Sequence, residues 1–152
     1  MGEVNNSLEG VRVTTLRQIG DDRGAVLHML RCDDPEFIAF GECYLSEVFP
    51  GAIKAWKRHR LQTQTLTVPV GRIKMVIYDN RETSSTRGRV EVLELGRPDS
   101  YVRLQIPPGL WYGFTCISDS NAILVNCADR VHDPLESDLK PMNDPTIPYQ
   151  WK

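Results

Sequence analysis

Apolar and polar residues alternate with a period of two along most of this chain, and no stretch carries apolar residues at helical spacing. In Tyr101–Ile106, Val102, Leu104 and Ile106 share one face while Tyr101, Arg103 and Gln105 share the other. Gln62–Val68 alternates in the same way, with Thr63, Thr65 and Thr67 opposite Gln62, Gln64, Leu66 and Val68. The same pattern predicts strands over Arg12–Arg17, Ala25–Leu30, Phe37–Val48, Ala52–His59, Arg72–Tyr78, Arg89–Leu95, Tyr112–Ile117 and Ala122–Cys127. Turn formers separate them at Gly20-Asp21-Asp22, Pro50-Gly51, Gly71, Gly96–Asp99, Pro107-Pro108-Gly109 and Ser118–Asn121. About nine or ten short, regularly punctuated strands without an amphipathic helix indicate an all-β sandwich or barrel. The segment after Asp129, rich in Pro and Asp, reads as an ordered loop packed back on the sheets.

Strand phase also assigns an interior. On Ala52–His59, Ile53, Ala55, Lys57 and His59 share a face, and its apolar members mark it as the inner one. On the following strand Gln62 and Gln64 share their face with Leu66 and Val68. Lys57, His59, Gln62 and Gln64 are therefore expected inside. Burying such groups unpartnered costs roughly 2 kcal/mol or more each, so a polar cavity is the cheaper arrangement. Trp56 and Arg58 alternate outward; Trp56 would suit a homodimer interface.

Composition narrows the setting. A chain of 152 residues is most simply a single domain, 1–152, with 41% hydrophobic and 25% charged residues. A net charge of −2 gives no reason to expect nucleic acid or an anionic membrane as partner. No apolar run approaches the roughly 18 residues of a membrane span, and the first eight residues do not read as a secretion signal. The four cysteines, Cys32, Cys43, Cys116 and Cys127, read as buried reduced thiols of a cytoplasmic protein.

The run Gly51–Gly71 keeps the spacing of a metal-binding cupin: a Gly, His-x-His, a Glu and a closing Gly, here Gly51, Lys57-Arg58-His59, Gln64 and Gly71. The partner frame, Pro-x-Gly and then a His, reads Pro107-Pro108-Gly109 and Tyr112. Only His59 is a good metal donor among these positions, because a protonated Lys57 has no lone pair and Gln64 and Tyr112 are weak neutral donors. The frame predicts a double-stranded β-helix, the cupin jelly roll, with no metal and no other cofactor.

The chain resembles the dTDP-4-dehydrorhamnose 3,5-epimerase (RmlC-like) family of cupins. The resemblance rests on Asp22-Arg23-Gly24, on Gly51–Lys57, and on Ile77–Arg81 followed by Ser84–Gly88. It continues through Ile106-Pro107-Pro108-Gly109 with Gly113-Phe114, and Asn143-Asp144-Pro145 with Ile147 and Trp151. It implies a metal-independent epimerase or isomerase that removes a proton next to the ketone of a dTDP-4-keto-6-deoxyhexose; the alternative is a non-catalytic cupin that binds a nucleotide sugar. The family's catalytic His falls on Lys57, its diphosphate-gripping Arg on Lys54, a Lys on Gln64, the His before Gly-Phe on Tyr112, and the acidic partner of the base on Asp144. Its catalytic Tyr has no counterpart in Val125–Val131. Its binding Gln and Asn fall near Glu42 and Tyr44. Around Lys57–Gln62 the chain is also similar to sugar-nucleotide 3,4-ketoisomerases, which places their second catalytic His on His59, a Lys on Arg60 and a Gln on Gln62.

The expected catalytic set is therefore His59, Lys57, Asp144, Tyr112 and Tyr44. His59 suits acid–base work near neutral pH, Lys57 can act as base or stabilise an enolate, and a tyrosine can supply the acid. Expected substrate contacts are Arg23, Lys54, Gln62, Gln64, Glu42 and Trp111, with Arg23 and Lys54 placed to hold a diphosphate and Trp111 to stack on a base or sugar. His28 and His132 carry no partner spacing.

Overall fold

A computed structural model describes residues 3–4, backbone only, and 8–152. It contains strands and no helix among the described residues. In chain order the strands are β1 (Glu3–Val4), β2 (Arg12–Thr15), β3 (Gln18–Asp21), β4 (Gly24–Leu27), β5 (Glu42–Val48), β6 (Ile53–His59) and β7 (Gln64–Val70). They continue with β8 (Arg72–Asp79), β9 (Val90–Gly96), β10 (Val102–Ile106), β11 (Leu110–Cys116), β12 (Ala122–Ala128) and β13 (Ser137–Leu139). A six-stranded sheet runs β1-β2-β10-β7-β12-β5 and a five-stranded sheet runs β13-β6-β11-β8-β9, while β3 and β4 form a separate hairpin. The fold is the cupin jelly roll expected from the spacing.

The main core lies between the two large sheets. Leu66 and Val68 of β7, Leu104 and Ile106 of β10, and Leu124 of β12 meet Ile73, Met75 and Ile77 of β8 and Phe114 of β11. The five-stranded sheet is covered on its other face too. Val76 and Tyr78, out of phase with Met75 and Ile77, join Trp56, Trp111 and Ile147 in a second apolar cluster, with Tyr149 and Trp151 packed against it. Both faces of β8 and β11 are thus dry, which is why their sequences read as nearly continuous apolar runs.

The segment after Asp129 does more than the sequence suggests. It supplies β13, whose Ser137, Asp138 and Leu139 pair with His59, Arg58 and Lys57 of β6. It then crosses the outer face, where Trp56 donates its indole N–H to the Met142 carbonyl at 3.2 Å and its ring meets those of Tyr149 and Trp151 at 6.2 and 5.3 Å. Trp56 does point outward as its phase predicts, but it is 1% exposed, sealed by the chain's own tail. It offers no surface to a second copy. Covering the side chain stabilises the fold by roughly 2 kcal/mol or more.

Three other expectations change. Phe37–Gly41 is loop, and strand β5 starts only at Glu42. At Gly41 a Cβ would stand 2.2 Å from the backbone carbon of Arg130, so this close crossing admits only glycine. The stretch Gly20-Asp21-Asp22, read as a turn, begins two residues early: Gly20 pairs with Ala25 and Asp21 with Gly24 in the β3–β4 hairpin, and Asp22-Arg23 forms the tip. The four cysteines are free, but only Cys116 is buried; Cys32 and Cys43 are exposed and Cys127 is half-buried. Cys43 lies on edge strand β5 directly opposite Cys127, whose Sγ is 3.3 Å away.

Among the described residues no helix is long and apolar enough to cross a membrane.

Candidate active site

A cavity of about 430 Å³ opens between the two sheets. Tyr44 and Ser46 of β5, Leu66 of β7, and Leu124 and Asn126 of β12 line one side; Lys54 and Lys57 of β6 and Tyr112 and Phe114 of β11 line the other, with Leu139 and Lys140 at the tail. The Leu and Phe side chains make the walls apolar. Three ammonium groups supply the positive charge.

Strict alternation would not put Lys54 and Lys57 on one face, since they are three residues apart. Strand β6 makes it possible with one extra residue. Tyr112 pairs with Lys57 and Phe114 pairs with Lys54, so two steps on β11 match three on β6. The shift moves Ala55 toward the outer apolar cluster, against Gly113, where an added Cβ would come within 2.5 Å of Ala55 Cβ. The inner face predicted from Ile53 and Ala55 therefore holds only from Lys57 onward. Lys54 Nζ donates to Ser46 Oγ at 2.9 Å and to the Glu47 carbonyl at 2.8 Å. The Lys57 ammonium has no hydrogen-bond partner among the described residues and stands register-opposite Tyr112.

Behind Tyr112 lies a buried polar chain. His59 is 5% exposed and is not among the residues lining the cavity. Its Nδ1 is 2.7 Å from Glu136 Oε1, and its Nε2 is 3.3 Å from the Tyr112 hydroxyl. Glu136 Oε2 also accepts the backbone N–H groups of Leu61 and Gln62, each at 2.9 Å. Burial acts to raise the Glu136 carboxyl, but the His59 contact and the two N–H donors outweigh it and bring it down to about 2. For His59, burial is the largest influence and lowers the pKa; Glu136 acts to raise it, Lys57 and His132 act with burial, and the net direction is down. Near neutral pH the pair is thus carboxylate and neutral imidazole. A carboxylate only accepts, so Nδ1 carries the ring proton and the bare Nε2 accepts the Tyr112 O–H. Burial raises the Tyr112 phenol far above its ordinary range, which keeps its proton in place.

A second chain of amides crosses the other side. Gln62 donates to the Arg130 carbonyl at 2.8 Å, Gln64 donates to Gln62 Oε1, and Asn126 donates both to Gln64 Oε1 and, at 2.8 Å, to the Tyr44 hydroxyl. Gln62 and Gln64 point inward, as their phase predicts, but they spend their polar atoms on this chain, and neither lines the cavity.

The remaining expected site residues lie elsewhere. Asp144 sits in an exposed turn where its carboxylate accepts the Thr146 N–H at 2.8 Å, and neither Lys57 nor His59 is among its partners. Its place beside the base is taken, for His59, by Glu136. Arg23 is at the tip of the β3–β4 hairpin, paired with Asp21 at 2.6 Å and pointing into solvent. Glu42 accepts the His132 N–H at 3.1 Å at the start of β5. Trp111 is 2% exposed in the outer cluster, with the Arg58 guanidinium 4.6 Å and Lys140 Nζ 5.0 Å from its ring, so it fills core and has no free face to stack on a ligand. Arg60 pairs with Asp138 on the surface. Of the expected residues, the structure gathers Lys57, Lys54, Tyr112 and Tyr44 around the cavity and His59 one layer behind.

Glu136 and Asn126 are the members that sequence reasoning missed. Asn126 was legible: on Ala122–Cys127 it shares the inner face with Ala122 and Leu124, a lone amide among apolar residues. Glu136 reaches His59 only because β13 pairs with β6, and no local pattern announces that. Among the described residues no three His, Cys, Asp or Glu side chains converge on a point that could hold a metal ion.

The jelly-roll fold is that of the cupin epimerases and isomerases. The family model of dTDP-4-dehydrorhamnose 3,5-epimerase matches residues 5–152. The crystal structure of a dTDP sugar isomerase from Desulfovibrio desulfuricans G20 is 51% identical in sequence, with a TM-score of 0.93 over 95% of this chain and 92% of that one. The spore coat polysaccharide biosynthesis protein SpsL of Bacillus subtilis is 32% identical over 146 residues, covering 95% of this chain and 96% of SpsL. The probable low-salt glycan biosynthesis epimerase Agl13 of Haloferax volcanii is 34% identical over 145 residues, covering 94% of this chain and 89% of Agl13. The chain belongs to the dTDP-4-dehydrorhamnose 3,5-epimerase family, and its activity is that of a dTDP-sugar epimerase or isomerase of glycan and sugar biosynthesis.

Proposed function

We propose that the cavity binds a dTDP-4-keto-6-deoxyhexose and removes a proton from the carbon beside its ketone, without a metal. The observation that carries this reading is the opposition of Lys57 and Tyr112 across adjacent strands inside the cavity. Proton abstraction next to a ketone needs a base or acid in reach of the carbon and positive charge near the developing enolate oxygen. The Lys57 ammonium, with no partner of its own among the described residues, supplies the charge. The Tyr112 hydroxyl, backed by His59, is the proton-transferring group on the facing strand. Lys54 and Lys140 add positive charge suited to a diphosphate, and the apolar walls of Leu66, Phe114 and Leu124 suit the 6-deoxy end of the sugar. Tyr44, whose hydroxyl is fixed by Asn126, is the second phenol on the cavity wall and the candidate acid for the other face of the ring.

The test is incubation with dTDP-4-keto-6-deoxyglucose in deuterated water, with the sugar followed by NMR. Deuterium at C3 or C5 is the expected result for epimerisation, and a ketone relocated to C3 for isomerisation. Saturable binding without exchange or ketone migration would overturn the reading in favour of a binding protein.

A further inference from the structure

The His59 imidazole lies close behind the cavity, yet it does not line it. Tyr112 stands between the two, with its ring stacked at 6.1 Å from that of His59 and its hydroxyl on Nε2. The carboxylate that orients His59 arrives from the chain's tail, 77 residues on, and is fixed by two backbone N–H groups as well. That is the arrangement of an oriented base behind a hydroxyl, and nothing in it faces the ligand except the phenol.

We propose that Glu136, His59 and Tyr112 form a proton relay, in which Tyr112 is the catalytic residue that meets the sugar while His59 and Glu136 are positioning residues behind it. The proposal rests on the keto-sugar reading of the cavity. In the forward step the sugar's C–H bond breaks and its proton forms a new O–H bond on Tyr112. Tyr112's own proton passes to His59 Nε2. The electron pair left on carbon moves into the C–C bond as the ketone oxygen becomes an enolate oxygen, beside the Lys57 ammonium. His59 becomes an imidazolium held against Glu136, which stays a carboxylate throughout. Reprotonation of the carbon from the other face by the Tyr44 hydroxyl gives the epimer. The His59 imidazolium then loses its proton and the Tyr44 phenolate regains one by exchange with water, so the enzyme ends where it began and no second reactant is consumed. The relay also accounts for a buried phenol that would be a poor base by itself: its proton has a receiver 3.3 Å away.

The charged and titratable groups facing His59 are Glu136 from the tail, Tyr112 from β11, Lys57 on its own strand and His132; Tyr44 acts on Tyr112 across the cavity. Glu136→Gln removes the carboxylate while keeping an oxygen for the Leu61 and Gln62 N–H groups. Two readouts are taken on the full chain. The first needs no substrate: with only three histidines in the chain, ring nitrogen NMR identifies His59 by its loss in His59→Asn and reports which nitrogen is protonated. The expected wild-type signature is protonated Nδ1 and bare Nε2, converting in Glu136→Gln to a mixture or to protonated Nε2. The second is the C–H exchange rate against pH. Glu136→Gln should lower it by roughly 100-fold and move its acid limb to lower pH, because the group that favours imidazolium is gone. Tyr112→Phe should abolish exchange and leave the His59 tautomer unprotonated at Nε2.

Full exchange in Tyr112→Phe, an acid limb unmoved in Glu136→Gln, or a wild-type His59 protonated at Nε2 would each overturn the relay while leaving the keto-sugar reading intact. Absence of both exchange and ketone migration in the wild type would overturn both.

Discussion

Replacing Lys57 by methionine isolates the charge that the cavity holds ready. The side chain keeps its length and loses its ammonium, which has no hydrogen-bond partner among the described residues, so no ion pair is broken in the free protein. An ammonium about 4 Å from an enolate oxygen, at an effective dielectric constant of about 20, stabilises it by about 4 kcal/mol. The neutral ketone of the bound substrate gains little from the same charge. Lys57→Met should therefore lower kcat by roughly 1000-fold with a dTDP-sugar dissociation constant changed by only a few-fold. Deuterium wash-in followed by NMR gives the first quantity and calorimetric titration of the bound nucleotide sugar gives the second. The acid limb of the exchange rate supplies a further sign: Lys57 pushes the His59 pKa down, so its removal should move that limb to higher pH, opposite to Glu136→Gln. Activity within about threefold of wild type, or a loss confined to binding, would refute a role in stabilising the enolate and would assign Lys57 to holding the diphosphate.

Two predictions concern stability. Asp79 is fully buried and accepts hydrogen bonds from the Arg81 backbone at 3.1 Å, the Arg81 guanidinium at 3.0 and 2.9 Å, and the hydroxyls of Ser84 and Thr86 at 2.6 Å each. Asp79→Asn leaves the Arg81 cation without its partner and turns an amide donor toward other donors, and should cost about 3 kcal/mol in a chemical denaturation series at pH 7; a change below about 1 kcal/mol would contradict the network. Acidification should destabilise the fold in two stages. His59, lowered in the fold, opposes protonation below the ordinary histidine value of about 6.5, and Glu136, held at about 2, resists it below the ordinary carboxylate value. The native state binds fewer protons than the unfolded chain over both ranges, so stability must rise with pH there. Glu136→Gln should flatten the lower stage, by of order 2 kcal/mol between pH 6 and pH 3.

The functional resemblance was legible because it is carried by short frames. Asp79, Ser84 and Thr86 sit in one of them, and the structure shows what that frame does: it closes a loop around a buried carboxylate. Trp111 and Asp144 sit in others and turn out to build the outer face of the sheet and a surface turn. A motif thus predicted the fold at these positions while saying nothing reliable about contact with a ligand.

Period-two alternation, with Gly and Pro between the runs, determined the strands, and the phase of Gln62–Val68 determined that Gln62, Gln64, Leu66 and Val68 face inward. These are local consequences of backbone geometry, since successive side chains on a strand point to opposite sides. The extra residue in β6 lies beyond such reasoning. It is defined by pairing with β11 more than fifty residues later, and it alone brings Lys54 and Lys57 to the same wall. The union of His59 with Glu136 has the same origin, because Glu136 directly precedes β13, which pairs with the edge of β6. Sequence set which residues alternate; the pairing of distant strands set which of them meet.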